Sequence, residues 1–252
     1  MHIPAVSDVN ACYDPSIIYL GRLMRFQAQH ELCLFSSTGR LTMTEDTLKT
    51  GTTTIGLKLK DGVILATDQR ATMGNLIADN HTQKLFPIAD NLGMTIAGGV
   101  GDAQLLVRYL QSEISIYRMK KGAPMSVQTA AVMIGNILRQ GFYVAPLVGG
   151  YDATGGHIFS VDMAGGVLED NYTSSGSGSV FALGALEAKY KPGMTKDEGI
   201  DCAITALNSS RRRDNYSGDG FLIAYVGPNG YEDIPNEEIV SRCAKLGFKY
   251  PN

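Results

Sequence analysis

The chain has 252 residues, 44% of them hydrophobic and 19% charged, which is enough apolar content to bury the core of one domain or at most two. A net charge of −3 and a pI near 5.8 exclude the clustered cations of a nucleic-acid or membrane-surface protein, and the short basic run Arg211-Arg212-Arg213 ends at once in Asp214. The cysteines Cys12, Cys33, Cys202 and Cys243 have no C-x-x-C spacing and the four histidines are equally dispersed, so reduced thiols are expected, with no disulfide frame and no metal site.

Residues 1–51 differ in character from the rest. The apolar stretch Ile17-Ile18-Tyr19-Leu20 has acidic residues ahead of it and no basic start, so it is neither a secretory signal nor long enough to span a bilayer. A second methionine, Met43, opens a polar run that ends at Gly51. This run is expected to be a propeptide, with residues 1–42 an upstream extension from a misassigned start codon. Residues 1–51 are then removed on maturation, leaving 52–252 as the working domain.

From Thr52 the pattern is regular. Thr52 to Leu59, the turn Lys60-Asp61-Gly62 and Val63 to Thr67 read as a hairpin. Leu85–Ile88 and Met94–Ala97 read as two further strands, followed by helices over 102–119 and 126–140, the first with Leu106, Tyr109, Leu110 and Tyr117 at helical spacing. The pattern then repeats in kind. Strands are expected at 144–148, 157–162 and 166–172, a loop at 174–179, and helices at 180–190 and 195–212, the second opened by the capping box Thr195-Lys196-Asp197-Glu198. A strand over 221–226 and a helix over 236–246 close the chain. Strands, two helices, strands, two helices imply an α+β fold: two mainly antiparallel sheets between two helical layers, with no domain boundary after Thr52.

The chemistry centres on Gly51-Thr52-Thr53-Thr54-Ile55-Gly56. A threonine hydroxyl holds its proton too tightly to attack a carbonyl at neutral pH unless a base stands beside it. A chain-terminal threonine supplies that base in its own α-amine, whose pKa of roughly 7.7–8.0 lets it accept the hydroxyl proton and return it to a leaving amine. Thr52 acquires such an amine only if the Gly51–Thr52 bond is cut. Glycine before the cut is expected for its freedom in φ. Taken alone, Thr-Thr-Thr-Ile reads as the β-branched start of a strand, so the assignment depends on its surroundings.

Those surroundings hold charged residues that such a nucleophile needs. Asp68 closes the second strand of the hairpin that begins at Thr52, so antiparallel pairing returns it towards the nucleophile. Lys84 heads the next strand, where its ammonium favours an alkoxide and a carboxylate can hold it in place. Asp214 and Ser217 can orient the amine. Each of these, taken singly, also reads as an ordinary surface ion pair or cap. Gly99-Val100-Gly101-Asp102-Ala103-Gln104 imitates a dinucleotide fingerprint, but Gln104 replaces its third glycine and no parallel βαβ unit surrounds it. The better use of that turn is a backbone N–H, at Gly98, donating to an oxyanion. Gly176-Ser177-Gly178-Ser179 reads either as a site element or as a flexible loop, and no G-x-S-x-G elbow is present.

With these motifs placed, the chain from Thr52 to about Leu246 closely resembles the β-subunits of the 20S proteasome, particularly the archaeal form, and so the N-terminal-nucleophile hydrolases. The resemblance is carried by Thr-Gly-Thr-Thr-Thr-Ile-Gly at 50–56, Ala-Thr-Asp-Gln-Arg-Ala-Thr-Met-Gly at 66–74, Gln-Lys-Leu-Phe at 83–86, Ala-Gly-Gly-Val-Gly-Asp-Ala-Gln at 97–104, Gly-Ser-Gly-Ser at 176–179 and Arg-Arg-Asp-Asn-Tyr-Ser-Gly-Asp-Gly at 212–220. It implies Thr52 as nucleophile and base, Asp68 and Lys84 as the charged pair, Ser177, Asp214 and Ser217 as the remaining polar network, and Gly98 N–H as oxyanion donor. It also implies Thr72 and Val100 pairing with substrate backbone as an added strand. Ala71, Thr82, Phe86, Ile96, Val100 and Gln104 are implied to line the specificity pocket; Ala71 and Ile96 leave room there without countercharge, which favours cleavage after hydrophobic residues. The family further implies maturation by self-cleavage at Gly51-Thr52, heptameric β rings stacked back to back and capped by α rings, an ATPase feeding unfolded polypeptide, a cytoplasmic location and no cofactor. A silent structural β-subunit is the rival reading; such subunits usually lose the threonine, the lysine or the Gly-Thr junction, and Thr52, Lys84 and Gly51 are all present.

Overall fold

A computed structural model of the protein describes residues 51–250, all within one compact unit, Leu48–Asn252. The expectations placed on 1–42 and on most of the propeptide run therefore lie outside the described residues.

Strand β1 (Thr54–Lys58) runs into a turn and returns as β2 (Val63–Asp68), with Thr54 opposite Thr67 and Lys58 opposite Val63. All six residues of β2 are buried, and the period of two explains why. Ile64 and Ala66 join the core that includes the last helices, whereas Val63 and Leu65 pack towards Ile158 and Leu85 of the other sheet. A strand covered on both faces carries an unbroken apolar run in place of alternation.

Two short strands follow, β3 (Ala71–Met73) and β4 (Leu76–Asp79), which pair only with each other. Next come β5 (Leu85–Ala89), β6 (Leu92–Gly98), the helices α1 (Val100–Lys121) and α2 (Val127–Leu138), and then β7 (Val144–Asp152), β8 (Gly155–Val161), β9 (Val167–Glu169) and β10 (Tyr172–Ser175). The chain ends with α3 (Ser179–Lys189), α4 (Lys196–Arg211), β11 (Phe221–Gly227), β12 (Gly230–Asp233) and α5 (Asn236–Lys245). One sheet has the order β10-β1-β2-β11-β12 and the other β5-β6-β7-β8-β9, with every pairing antiparallel. Leu106 and Leu110 of α1 and Ile134 and Leu138 of α2 pack on Met94, Ile96 and Val148 of the second sheet. Leu186 of α3 and Ile200, Ile204 and Leu207 of α4 pack on Ile55, Leu57 and Ile64 of the first. The result is the expected four-layer α+β sandwich.

Four strands, β3, β4, β10 and β12, were not expected, and in each case pairing overrides side-chain pattern. The residues of β4 are all exposed, so no buried face marks them; only the ladder between β3 and β4 does. The 174–179 loop begins inside β10, whose Tyr-Thr-Ser-Ser sequence is polar but pairs with β1 from Thr54↔Ser175 to Leu57↔Tyr172. The expected strand over 166–172 is correspondingly cut to β9, and β12 returns from β11 between the paired Gly227 and Gly230. The capping box of α4 is present as expected, with Thr195 and Glu198 each bonding to the other's backbone N–H.

Thr95, in the middle of β6, is fully buried and its hydroxyl is the one buried side-chain polar atom without a hydrogen-bond partner among the described residues. Valine has the same shape and no hydroxyl to desolvate. Thr95→Val is therefore expected to stabilise the fold by about 1 kcal/mol, read as a higher urea midpoint at unchanged m-value. A lower midpoint would mean that the hydroxyl has a partner in solution.

Candidate active site

Thr52 stands two residues ahead of β1, at the edge where the two sheets face each other, and is 4% exposed. The β1–β2 register continues beyond Thr54↔Thr67, so residues 53 and 68 come opposite one another: Asp68 N–H donates to Thr53 O at 3.2 Å, and Thr53 N–H donates to Asp68 Oδ1 at 2.9 Å. Hairpin pairing thus returns Asp68 to the start of β1. Its other oxygen accepts from Arg70 N at 3.1 Å and Gly218 N at 3.0 Å.

Lys84 arrives from the second sheet, immediately before β5. Its Nζ lies 2.9 Å from Thr52 Oγ1 and 3.0 Å from Asp68 Oδ1. Burial pulls the Lys84 ammonium below the usual lysine range, opposed by the Asp68 charge. Burial also pushes the Asp68 carboxyl up, opposed by Lys84 and by the N–H groups of Thr53 and Gly218. Each partner's charge offsets part of the cost of burying the other's.

A second set of groups reaches the nitrogen of Thr52. Thr52 N–H donates to Ser177 Oγ at 3.2 Å, and Ser177 Oγ donates to Asp214 Oδ2 at 2.6 Å. Ser217 Oγ also donates to Asp214 Oδ2, at 2.6 Å. A hydroxyl has one proton, so the 2.7 Å contact between Thr53 Oγ1 and Ser217 Oγ has Thr53 as donor. Tyr216 N–H holds the other Asp214 oxygen at 3.1 Å, and Gly178 N–H holds Thr52 O at 3.3 Å. The loop at 176–179, read either as flexible or as part of the site, is tied to Thr52 by both its backbone and its serine.

The Thr52 hydroxyl donates to the carbonyl oxygen of Gly51 at 2.6 Å, so nucleophile and the preceding peptide group are already in contact. Glycine at 51 leaves room for its neighbours: a Cβ there would overlap the Tyr216 side chain and lie 2.7 Å from Ser177 Oγ. Gly98, at the end of β6, does have a left-handed φ of 127°, and a Cβ on it would overlap Tyr143 O and lie 2.9 Å from Val144 Cα. The crowding at Gly98 thus comes from the neighbouring strand.

Beside Thr52 lies a cleft. Ala71 and Thr72 of β3, Phe86 of β5 and Ile96 and Gly98 of β6 line it, with Val100 and Gln104 from the first turns of α1. Thr72 Oγ1 also accepts from Gly51 N at 3.4 Å. Thr82 is not among the residues lining this cleft; its hydroxyl donates to Asp79 Oδ2, in β4, at 2.7 Å. Gln83 and Ala103 line the cleft instead and were missed. Ala103 could have been found from the helical i, i+3 relation to Val100, and Gln83 from its place beside Lys84. The Thr53 hydroxyl and the Gly178 and Gly218 N–H groups were also missed. Nothing in a side-chain pattern marks a backbone donor.

The arrangement can stabilise an oxyanion form of the Thr52 hydroxyl, through the Lys84 ammonium, and can orient the Thr52 nitrogen through a hydroxyl–carboxylate relay. Comparison with known proteins places these features in context. A family model described as Proteasome subunit matches residues 48–226. The chain is 47% identical over 207 residues to "Proteasome subunit beta" of Thermoplasma acidophilum, covering 80% of this chain and 98% of that protein. It is 47% identical over 197 residues to the protein of the same description from Methanocorpusculum labreanum (76% of this chain, 93% of the relative), and 43% identical over 203 residues to that of Methanobrevibacter smithii (80% and 100%).

Proposed function

The chain belongs to the proteasome subunit family, and from that premise we propose that it is a catalytic β-subunit of a 20S core particle, a threonine endopeptidase degrading unfolded polypeptide. The observation that carries the reading is the position of Lys84 Nζ, 2.9 Å from a Thr52 hydroxyl that itself lies on the Gly51 carbonyl.

Maturation proceeds from that contact. Thr52 Oγ1 attacks the Gly51 carbonyl carbon, the C–N bond breaks, and the acyl group moves from nitrogen to oxygen, freeing the Thr52 α-amine as an ester forms. Water then hydrolyses the ester, releasing residues 1–51 with a Gly51 carboxylate and restoring the hydroxyl. In the mature site the α-amine takes the hydroxyl proton as Oγ1 attacks a substrate carbonyl, with Lys84 favouring the alkoxide and Asp68 holding Lys84. Gly98 N–H receives the developing oxyanion. The amine passes its proton to the leaving peptide nitrogen, and water completes the cycle. Ser177, Asp214 and Ser217 hold the amine throughout. No cofactor takes part.

Thr72 and Val100 flank the cleft where an extended substrate adds as a strand, a mode that reads main chain and tolerates varied sequence. Such tolerance is safe only in an enclosed chamber. Heptameric β rings stacked on each other, capped by α rings and fed by an ATPase in the cytoplasm, belong to the same proposal. Among the described residues no helix is long and apolar enough to cross a membrane.

Intact mass after co-expression with the α-subunit tests the reading. A mass corresponding to residues 52–252 supports self-cleavage; a full-length chain in an assembled particle would leave a blocked amine and favour a silent structural subunit. Specificity gives a second test. Ala71, Phe86 and Ile96 put no charge into the cleft, so fluorogenic peptides ending in Leu, Phe or Tyr are expected to be cut at least ~10-fold faster than those ending in Arg or Glu. Faster cleavage after Arg or Glu would overturn the preference.

A further inference from the structure

We propose that Arg70 and Asp219 are a positioning pair that keeps the two halves of the Thr52 network in register, an inference that rests on the peptidase reading above. One half, Asp68 with Lys84, is anchored at the end of β2. The other, Asp214 with Ser217, hangs from the segment between α4 and β11 and receives Ser177 from the loop between β10 and α3. These halves act on different atoms of one residue, the hydroxyl oxygen and the nitrogen of Thr52.

Arg70 touches both halves. Its backbone N–H donates to Asp68 Oδ2 at 3.1 Å, while its guanidinium sends Nη1 to the carbonyl of Asn215 at 3.0 Å, one residue beyond Asp214. The same guanidinium grips Asp219 with two bonds, Nε to Oδ2 at 2.6 Å and Nη2 to Oδ1 at 3.0 Å. The pair is only partly exposed, at 20% for Arg70 and 17% for Asp219, so water screens it incompletely. Gln69 N–H adds a bond to Gly218 O at 3.1 Å, and Gly218 N–H returns one to Asp68.

Asp219 supplies an independent sign that this link is imposed. At φ 60° it is the one non-glycine among the described residues with a left-handed backbone. Such a conformation persists where surrounding contacts over-determine it, and it clusters at functional sites. Here the two-pronged grip of Arg70 is the contact that holds it. Lysine cannot replace that grip, because a point charge on a flexible stem lacks the planar fork that meets both carboxylate oxygens.

Neither side chain contacts Thr52 in the described structure, so the pair acts through Asp68 on one side and the Asp214 segment on the other. Proton transfer from the Thr52 hydroxyl to its amine needs both held at once, and a displacement of about 1 Å costs on the order of 100-fold in rate.

The test uses particles assembled with the α-subunit. Arg70→Ala and Asp219→Gly are each expected to lower kcat for a hydrophobic fluorogenic peptide by roughly 30-fold, with KM within about twofold. The double variant should be no slower than the worse single one, since both remove the same link. Arg70→Lys should remain impaired. Asp219→Gly relieves the backbone strain, so its loss of rate is not a loss of folding; Asp219→Asn, also at ease in the left-handed region, takes its place where glycine fails to assemble. A wild-type kcat in an assembled variant, a loss confined to KM, or losses that multiply in the double variant would overturn the proposal. So would failure of every variant to assemble, which would make the pair purely structural. An inactive, unprocessed wild-type particle has a different signature and would remove the peptidase reading itself.

Discussion

Thr52→Ala is expected to leave the Gly51–Thr52 bond intact in a fully assembled particle and to reduce peptide cleavage to background. Alanine deletes Thr52 Oγ1, which lies 2.6 Å from the Gly51 carbonyl oxygen, and without it neither the acyl shift nor attack on substrate has a nucleophile. Loss of structure is a poor alternative explanation. Among the described residues the Thr52 hydroxyl bonds only to Lys84 and to its neighbour Gly51, while the strand pairing of β1 and the Thr53–Asp68 bonds do not involve it. Intact mass and native electrophoresis on the same sample separate the two. A mass of 52–252 for the Thr52→Ala chain would show that another group, or another protease, makes the cut.

Lys84→Met should be nearly as severe, and it should affect stability as well. Activity is expected to fall by roughly 10³-fold, because the ammonium 2.9 Å from Thr52 Oγ1 is, among the described residues, the one cation in contact with the nucleophile. Methionine fills the space but leaves Asp68 buried without its countercharge, at a cost of about 3–5 kcal/mol at neutral pH. The pH dependence of that cost has a definite sign. Burial already raises Asp68 above its ordinary value in the folded protein, and Lys84 opposes the rise; removing Lys84 raises it further. A group whose folded pKa lies above its unfolded one binds its proton more readily in the folded state, so the variant's deficit shrinks as pH falls and grows as pH rises through the folded-state value. Urea midpoints of Lys84→Met and wild type, measured from neutral to acid pH, should therefore converge on acidification. Divergence would mean that Asp68 is held charged by its backbone donors alone.

Several parts of this site were legible in the residues. The hairpin Thr52–Thr67 with a turn at Asp61-Gly62 predicts antiparallel pairing, and pairing alone returns Asp68 to Thr53. Lys84 heads the next strand, which marks it as a candidate cation, though its reach to Thr52 required the second sheet to be placed. Phe86 and Ile96 fall in the cleft because β5 and β6 are adjacent strands. The bond from the Thr82 hydroxyl to Asp79 was not legible, because Asp79 lies in a strand whose exposed residues gave no pattern to read. Gly51 was recognised, but its necessity lies in Tyr216, far along the chain.

The residues by themselves determined the features that periodicity and local chemistry dictate: two helical pairs, the long buried strands, a Gly-Thr junction, and side chains able to make a nucleophile, a cation and a carboxylate. Periodicity suffices there because burial on one face or two writes itself directly into a period of 3.6 or 2. Only the tertiary structure decided how those groups meet. It set Lys84 between Thr52 and Asp68, joined Ser177 to Asp214 across 37 positions, and used Arg70 to bridge 149 positions to a strained Asp219. Such contacts depend on distances between elements that neither strand nor helix repeats encode, and on backbone N–H groups that every residue but proline possesses.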